Sequence, residues 1–134
     1  MLIVKPVPDQ DAAARLALEF GREPDPDTMT YYAVDAKDQD DESPAPLGLC
    51  RFTLRGGRDE IVSLDYAEGT HDTEALIITA RAVMSFMYRC SVKKAYASDD
   101  VPEELSSALG FRREGGRLSI DLEEFYKSPC GYRT

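Results

Sequence analysis

Residues 60–89, EIVSLDYAEGTHDTEALIITARAVMSFMYR, read as a strand, a turn and a helix. Ile61-Val62-Ser63-Leu64-Asp65-Tyr66 is short and rich in β-branched and aromatic residues, the composition of a central strand. Glu68 to Asp72 breaks the pattern, and from Thr73 apolar residues return at helical spacing. Leu76, Ala80, Val83, Met87 and Cys90 make one stripe, with Ile78, Ala82 and Phe86 beside it. The two stripes predict a helix buried over most of its circumference, with charge only at Glu74, Arg81 and Arg89. The turn before it is the first place to seek a ligand, because a helix N-terminus offers free backbone N–H groups and partial positive charge.

Toward the N-terminus, Leu2-Ile3-Val4 forms a strand stopped by Pro6 and Pro8. A helix follows, capped by Asp9, with Ala12, Ala13, Leu16, Ala17 and Phe20 on its apolar face and Gly21 at its end. Arg22 to Asp27, REPDPD, is a loop. Thr30–Val34 and Leu47–Leu54 are further strands, joined by an acidic, proline-containing hairpin loop with nothing to bury. Crowded carboxylates in such a loop are ordinarily solvated, and no metal site is assigned there. Gly56-Gly57 turns the chain into residues 60–66, so these three strands form an antiparallel meander.

Beyond residue 89, Lys94–Ala97 is a fifth strand, and Asp100-Val101-Pro102-Glu103 reads as a capping box for a short helix carrying Leu105 and Leu109, closed by Gly110. Gly115-Gly116 signals a second hairpin, and Leu118, Ile120 and Leu122 alternate with Ser119, Asp121 and Glu123 as a half-buried last strand. The order β-α-β-β-β-α-β-α-β-β predicts an α/β fold of the α+β type. It is a single mixed, mostly antiparallel sheet of about six to seven strands with helices on both faces. The fifth strand should lie parallel to the fourth through a right-handed crossover.

A chain of 134 residues, 43% hydrophobic, builds one core, so residues 1–134 are expected to form a single domain. A net charge of -9 excludes nucleic acid and anionic membrane surfaces as expected partners. Cys50, Cys90 and Cys130 share no flanking pattern and no CxxC, which suggests free thiols in a reducing cytoplasm. Cys90, on the apolar stripe, is expected to be buried, and Cys130 exposed.

The element order, residues 60–89, and Leu105-Ser106-Ser107-Ala108-Leu109-Gly110-Phe111 together resemble the GNAT family of acyl-coenzyme A-dependent N-acetyltransferases. The resemblance implies an acetyl transfer from acetyl-CoA to an amine, with the cofactor pyrophosphate held by the turn at Tyr66, Gly69, Thr70, His71, Asp72 and Thr73. The family's turn carries Arg or Gln, then Gly, then Gly or Ala; here those places hold Tyr66, Gly69 and His71. Glu68, Asp72 and Glu74 add negative charge where phosphates would sit. A tyrosine acts as general acid in many members, and its place is taken by Ser106. The helix that usually covers the acceptor has no room between Gly21 and Thr30.

Asp65, at the end of the central strand, is the candidate general base, directly or through water; equally it serves as a solvated strand end or the partner of a neighbouring helix terminus. His71 is the only histidine, so catalytic His pairs and His-rich metal sites are excluded. Two functions are expected. One is an acetyltransferase acting on a small-molecule amine; the other is a non-catalytic module, without cofactor, that binds a protein or metabolite or dimerises. The strands at 60–66 and 94–97 should part at their C-terminal ends, opening a cleft between Asp65-Tyr66 and Tyr96-Ala97.

Overall fold

The computed structural model describes residues 1–38, 45–56 and 58–127. One seven-stranded sheet runs β1 (Leu2–Pro6), β2 (Met29–Asp35), β3 (Gly48–Thr53), β4 (Glu60–Tyr66), β5 (Lys94–Ala97), β7 (Arg117–Asp121) and β6 (Arg112–Glu114) in spatial order. The β4–β5 pair is parallel and all the others are antiparallel. Four helices complete it: α1 (Gln10–Glu19), α2 (Thr73–Arg89), α3 (Glu103–Leu109) and α4 (Leu122–Lys127).

Local chemistry accounts for most boundaries. The Asp9 carboxylate accepts from the Ala12 N–H at 2.8 Å and starts α1. Asp72 does the same for α2, accepting from Ala75 at 3.0 Å. Gly110, at φ 102°, ends α3, and Gly115 and Gly116, at φ 59° and 82°, turn β6 into β7.

Cross-strand register sorts the central sheet into two faces. Tyr31, Cys50 and Leu64 are directly opposed in β2, β3 and β4, and they pack with Phe52, Ile61 and the buried side of α2. That side is Ala75, Leu76, Thr79, Ala80, Val83, Met84 and Met87. Full burial of each large side chain in this set contributes about 1.5–3 kcal/mol. α3 and α4 pack against α2 over β5 and β7 through Leu105, Leu109 and Leu122. The other face carries Thr30, Arg51 and Ser63 in one row and lies beneath α1 and the loop after it. A bulge at Arg51/Phe52 leaves Val62 as the extra residue of β4.

Gly48 leaves room for Leu76 of α2: a Cβ there would stand 2.5 Å from Leu76 Cδ2, so a larger residue would make that side chain repack.

Four expectations are corrected. The buried part of α2 is one broad face, not most of its circumference: Ile78 is exposed, Ala82 and Phe86 are half-buried, and Thr79 and Met84 are buried instead. Cys90 is exposed because it is the cap residue after the last helical turn, where the stripe no longer faces the sheet. The capping box does not form. α3 begins at Glu103, so the cap position is held by Pro102, which has no side-chain acceptor, and Asp100 lies two residues too early to cap it. The last strand ends at Asp121, whose carboxylate accepts from Glu124 N–H, and Leu122 begins α4. The acidic loop beyond residue 38 and the Gly57 half of the Gly56-Gly57 turn lie outside the described residues, as does Cys130.

Burial pushes the Cys50 thiol well above its usual range, with the Asp65 charge acting in the same direction. Cys90 should therefore react with a maleimide in the native protein, while Cys50 labels only on unfolding. Peptide mapping after a native pulse checks this, and modification of Cys50 at the rate of Cys90 would contradict the packing of β3 beneath α2.

Candidate functional site

The parallel contact between β4 and β5 spans two register positions, Glu60 with Tyr96 and Ile61 with Ala97. It ends where Ser98 N–H donates to the Ile61 carbonyl at 2.9 Å. Beyond that bond β4 continues through Tyr66, whereas the other chain turns, with Val101 N–H on the Ser98 carbonyl, toward α3. The strands thus part as expected, but the far wall of the gap is placed differently. It begins at Ser98, because Tyr96 and Ala97 are still paired.

The turn into α2 brings Tyr66, Gly69, Thr70, His71, Asp72 and Thr73 together, and they bond mainly to one another. Tyr66 stacks on His71 with ring centroids 4.0 Å apart and its hydroxyl shares a 3.0 Å hydrogen bond with Thr73 Oγ1. The Thr70 N–H and hydroxyl both donate to the Ala67 carbonyl, at 3.0 and 2.9 Å. Thr73 N–H donates to the His71 carbonyl at 3.1 Å. With the Asp72 carboxylate on Ala75 N–H, the positive end of α2 already holds an anion of the protein's own. Glu68 and Glu74 stand exposed beside it.

Asp65 points to the opposite face, the one beneath α1, since it shares that side of β4 with Ser63. There Arg22 reaches it from the loop after α1. Nε donates to Oδ2 at 3.1 Å and Nη2 to Oδ1 at 2.8 Å, a two-pronged contact with side chains only 29% and 19% exposed. Arg22 Nη1 also lies 3.9 Å from Asp100 Oδ2. One guanidinium therefore spans from the end of β4 to the segment after β5, across the mouth of the gap. The hydrogen bond to Asp65 raises the Arg22 pKa, desolvation works against it, and the charges of Asp65 and Asp100 add to the rise. A raised pKa gives stability that is complete below the unfolded arginine value and is lost only above it, so Arg22 stays charged throughout the neutral range.

Sequence reading named Asp65 but not its partner. The available signal was a single arginine in the acidic run REPDPD, and only the fold shows that this loop crosses the end of β4. The same loop is tied down by Arg51, which donates to the Glu23 carbonyl at 3.1 Å, and it contains no helix. Ser106 is buried and donates to the Glu103 carbonyl at 3.1 Å. Among the described residues no cluster of His, Cys, Asp and Glu could hold a metal ion, and no helix is long and apolar enough to cross a membrane.

No protein-family model matches this sequence, and no curated protein resembles it in sequence. Solved structures do match its fold. The chain covers 96% of its own length and 99% of an inferred acetyltransferase from Exiguobacterium sp. 255-15, at 11% identity and TM-score 0.65. It matches a chain of the NatC complex bound to Gag peptide and CoA at 14% identity and TM-score 0.64, covering 90% of this chain and 98% of that one. The N-acetyltransferase-like YhhK of E. coli, solved bound to coenzyme A, is 18% identical at TM-score 0.60, with 90% and 97% covered. The chain has the GNAT acyl-coenzyme A N-acyltransferase fold.

The Arg22–Asp65 contact should be measurable. Replacing either partner, as Arg22→Met or Asp65→Asn, should lower unfolding stability by about 1 kcal/mol, the upper range for partly exposed pairs of good geometry. The double variant should lose little more than either single one. Urea titrations of all four proteins check this, and simple additivity would mean that the contact is not formed in solution.

Proposed function

We propose that this chain is a GNAT-fold binding protein that holds acetyl-coenzyme A weakly or not at all, and that its ligand is a metabolite or protein other than the cofactor. One observation carries this reading: the N-terminus of α2, where the fold would receive a pyrophosphate, is occupied by the Asp72 carboxylate and flanked by Glu68 and Glu74. A helix end supplies about half a positive charge. Against it, each carboxylate near a phosphate costs on the order of 1 kcal/mol in water and up to about 4 kcal/mol near a protein surface. With distance and salt discounted, the three together weaken binding by roughly 2 to 4 kcal/mol, or about 30-fold to nearly a thousandfold. The stacked His71 ring stands where a small residue would admit the phosphates.

The catalytic positions agree with this. Asp65 could act as a base only after shedding Arg22, and Ser106 has neither the acidity nor the exposure to protonate a departing thiolate. The second reading is an acetyltransferase that moves an acetyl group from acetyl-CoA to an amine. The parting of β4 and β5 favours it, together with the coenzyme-bound structures of similar fold. In that case Asp65 or an ordered water is the base and residues 66–73 hold the cofactor.

Calorimetry with acetyl-CoA at low and high salt separates the two. Wild-type protein should bind in the millimolar range or not at all. A Glu68→Gln/Asp72→Ser/Glu74→Gln variant, which keeps a helix cap but drops three charges, should bind at least tenfold more tightly. Micromolar binding by the wild type would return the enzyme reading to first place.

A further inference from the structure

The face of the sheet opposite α2 carries a buried arginine that makes no direct ion pair among the described residues. Arg51 is 5% exposed, and its one hydrogen bond goes to a neutral acceptor, the Glu23 carbonyl. Among the described residues it makes no ion pair. Arginine is almost never buried this deeply unless paired, since an uncompensated charge in the interior is costly. Directly across the ladder sits Ser63, 1% exposed, whose hydroxyl has no partner. The Ser63 hydroxyl lacks a partner and the Arg51 charge lacks an ion pair among the described residues, so this face holds more polar capacity than its own bonds use.

Arg51 does not face solid protein. With Thr28 and Thr30, both buried, it lines a cavity of about 230 Å³ between β2, β3, α1 and the loop after α1. At roughly 30 Å³ per water this is space for several waters or one small organic ion. Asp11 and Asp25 belong to the walls as well, and their residues are exposed, so negative charge lies toward solvent and positive charge lies deep. Gln10 closes one side, its amide donating to the Pro26 carbonyl at 3.1 Å.

We propose that this cavity is a binding site for a small carboxylate-bearing molecule, whose carboxylate meets the Arg51 guanidinium and whose remaining groups face the acidic rim. A guanidinium presents paired donors that match a carboxylate. A positive group on the same molecule, as in an amino acid, fits the placement of Asp11 and Asp25. The site stands independently of coenzyme A, because it is separated by the sheet from the turn that begins α2.

The test uses the full chain with sodium acetate and glycine as probes, and acetamide and sodium chloride at matched ionic strength as controls. The Arg51 Nε–Hε resonance of the wild type should shift saturably with acetate or glycine and not with either control. The melting temperature should rise with the same saturation. Arg51→Met removes an unpaired buried charge, so that variant should be at least as stable as the wild type while binding at least tenfold more weakly. Tighter binding of glycine than of acetate would identify the zwitterion as the preferred form, and equal binding the carboxylate alone; both support the site. No saturable Nε–Hε shift with either probe would overturn it, as would an undiminished response in Arg51→Met. Should that variant fail to fold, the wild-type resonance decides by itself.

Discussion

The close seating of α2 on the sheet is the constraint from which the rest follows. A helix with Leu76, Val83, Met84 and Met87 fully buried has no stable existence away from a matching apolar surface, and β2, β3 and β4 provide it with Tyr31, Cys50, Phe52 and Leu64. Gly48 lets Leu76 come down onto β3. Once α2 is fixed, its length determines where β5 can return, and β5 positions α3, β7 and α4 over the remaining apolar side chains. The polar groups that the packing does not absorb lie at the end of β4 and on the face that α2 does not cover.

The two faces of the sheet hold different kinds of interaction. The α2 face is held by burial, including a ring cluster of Tyr31, Phe52 and Phe86 with centroids 5.4 to 6.1 Å apart. The α1 face is held in part by arginines from two directions: Arg22 reaches down from the loop to β4, and Arg51 reaches up from β3 to the loop. A short helix with one fully buried residue, Ala17, could not secure that face by apolar contact alone. Arg22 and Arg51 add polar ties to it.

Much of this architecture was legible in residues alone, because the signals were local. Asp9 and Gly110 marked helix ends, Gly115-Gly116 marked a hairpin, and the β-branched and aromatic run Ile61–Tyr66 marked the central strand. What escaped was set by distant partners. The Asp100 to Glu103 spacing promised a capping box, but the helix starts at Glu103 itself, which puts Pro102 at the cap and leaves the Asp100 carboxylate free to lie 3.9 Å from Arg22. Cys90 followed the apolar repeat, yet periodicity does not say at which residue a helix stops. Arg51 sat in a stretch of β3 with apolar residues on both faces, Leu49 and Cys50 before it and Phe52 after it, so its burial carried no sequence signature. Residues 66–73 form one turn because they are contiguous, which a sequence shows directly; Arg22 was missed because its contact with Asp65 is created only when the loop crosses β4.

The two-register contact between β4 and β5 also has a mechanical meaning. The sheet consists of a four-stranded plate, β1 to β4, and a three-stranded plate, β5 to β7, joined edge to edge along a very short seam, with α2 packed on the first plate and touching α3 and α4 beside the second. Such a joint resists sliding through its hydrogen bonds, and its angle is set by the helix contacts behind it. Arg22, touching one plate at Asp65 and the other's leading segment at Asp100, lies across that joint like a strap, and any wedge driven into the seam works directly against it.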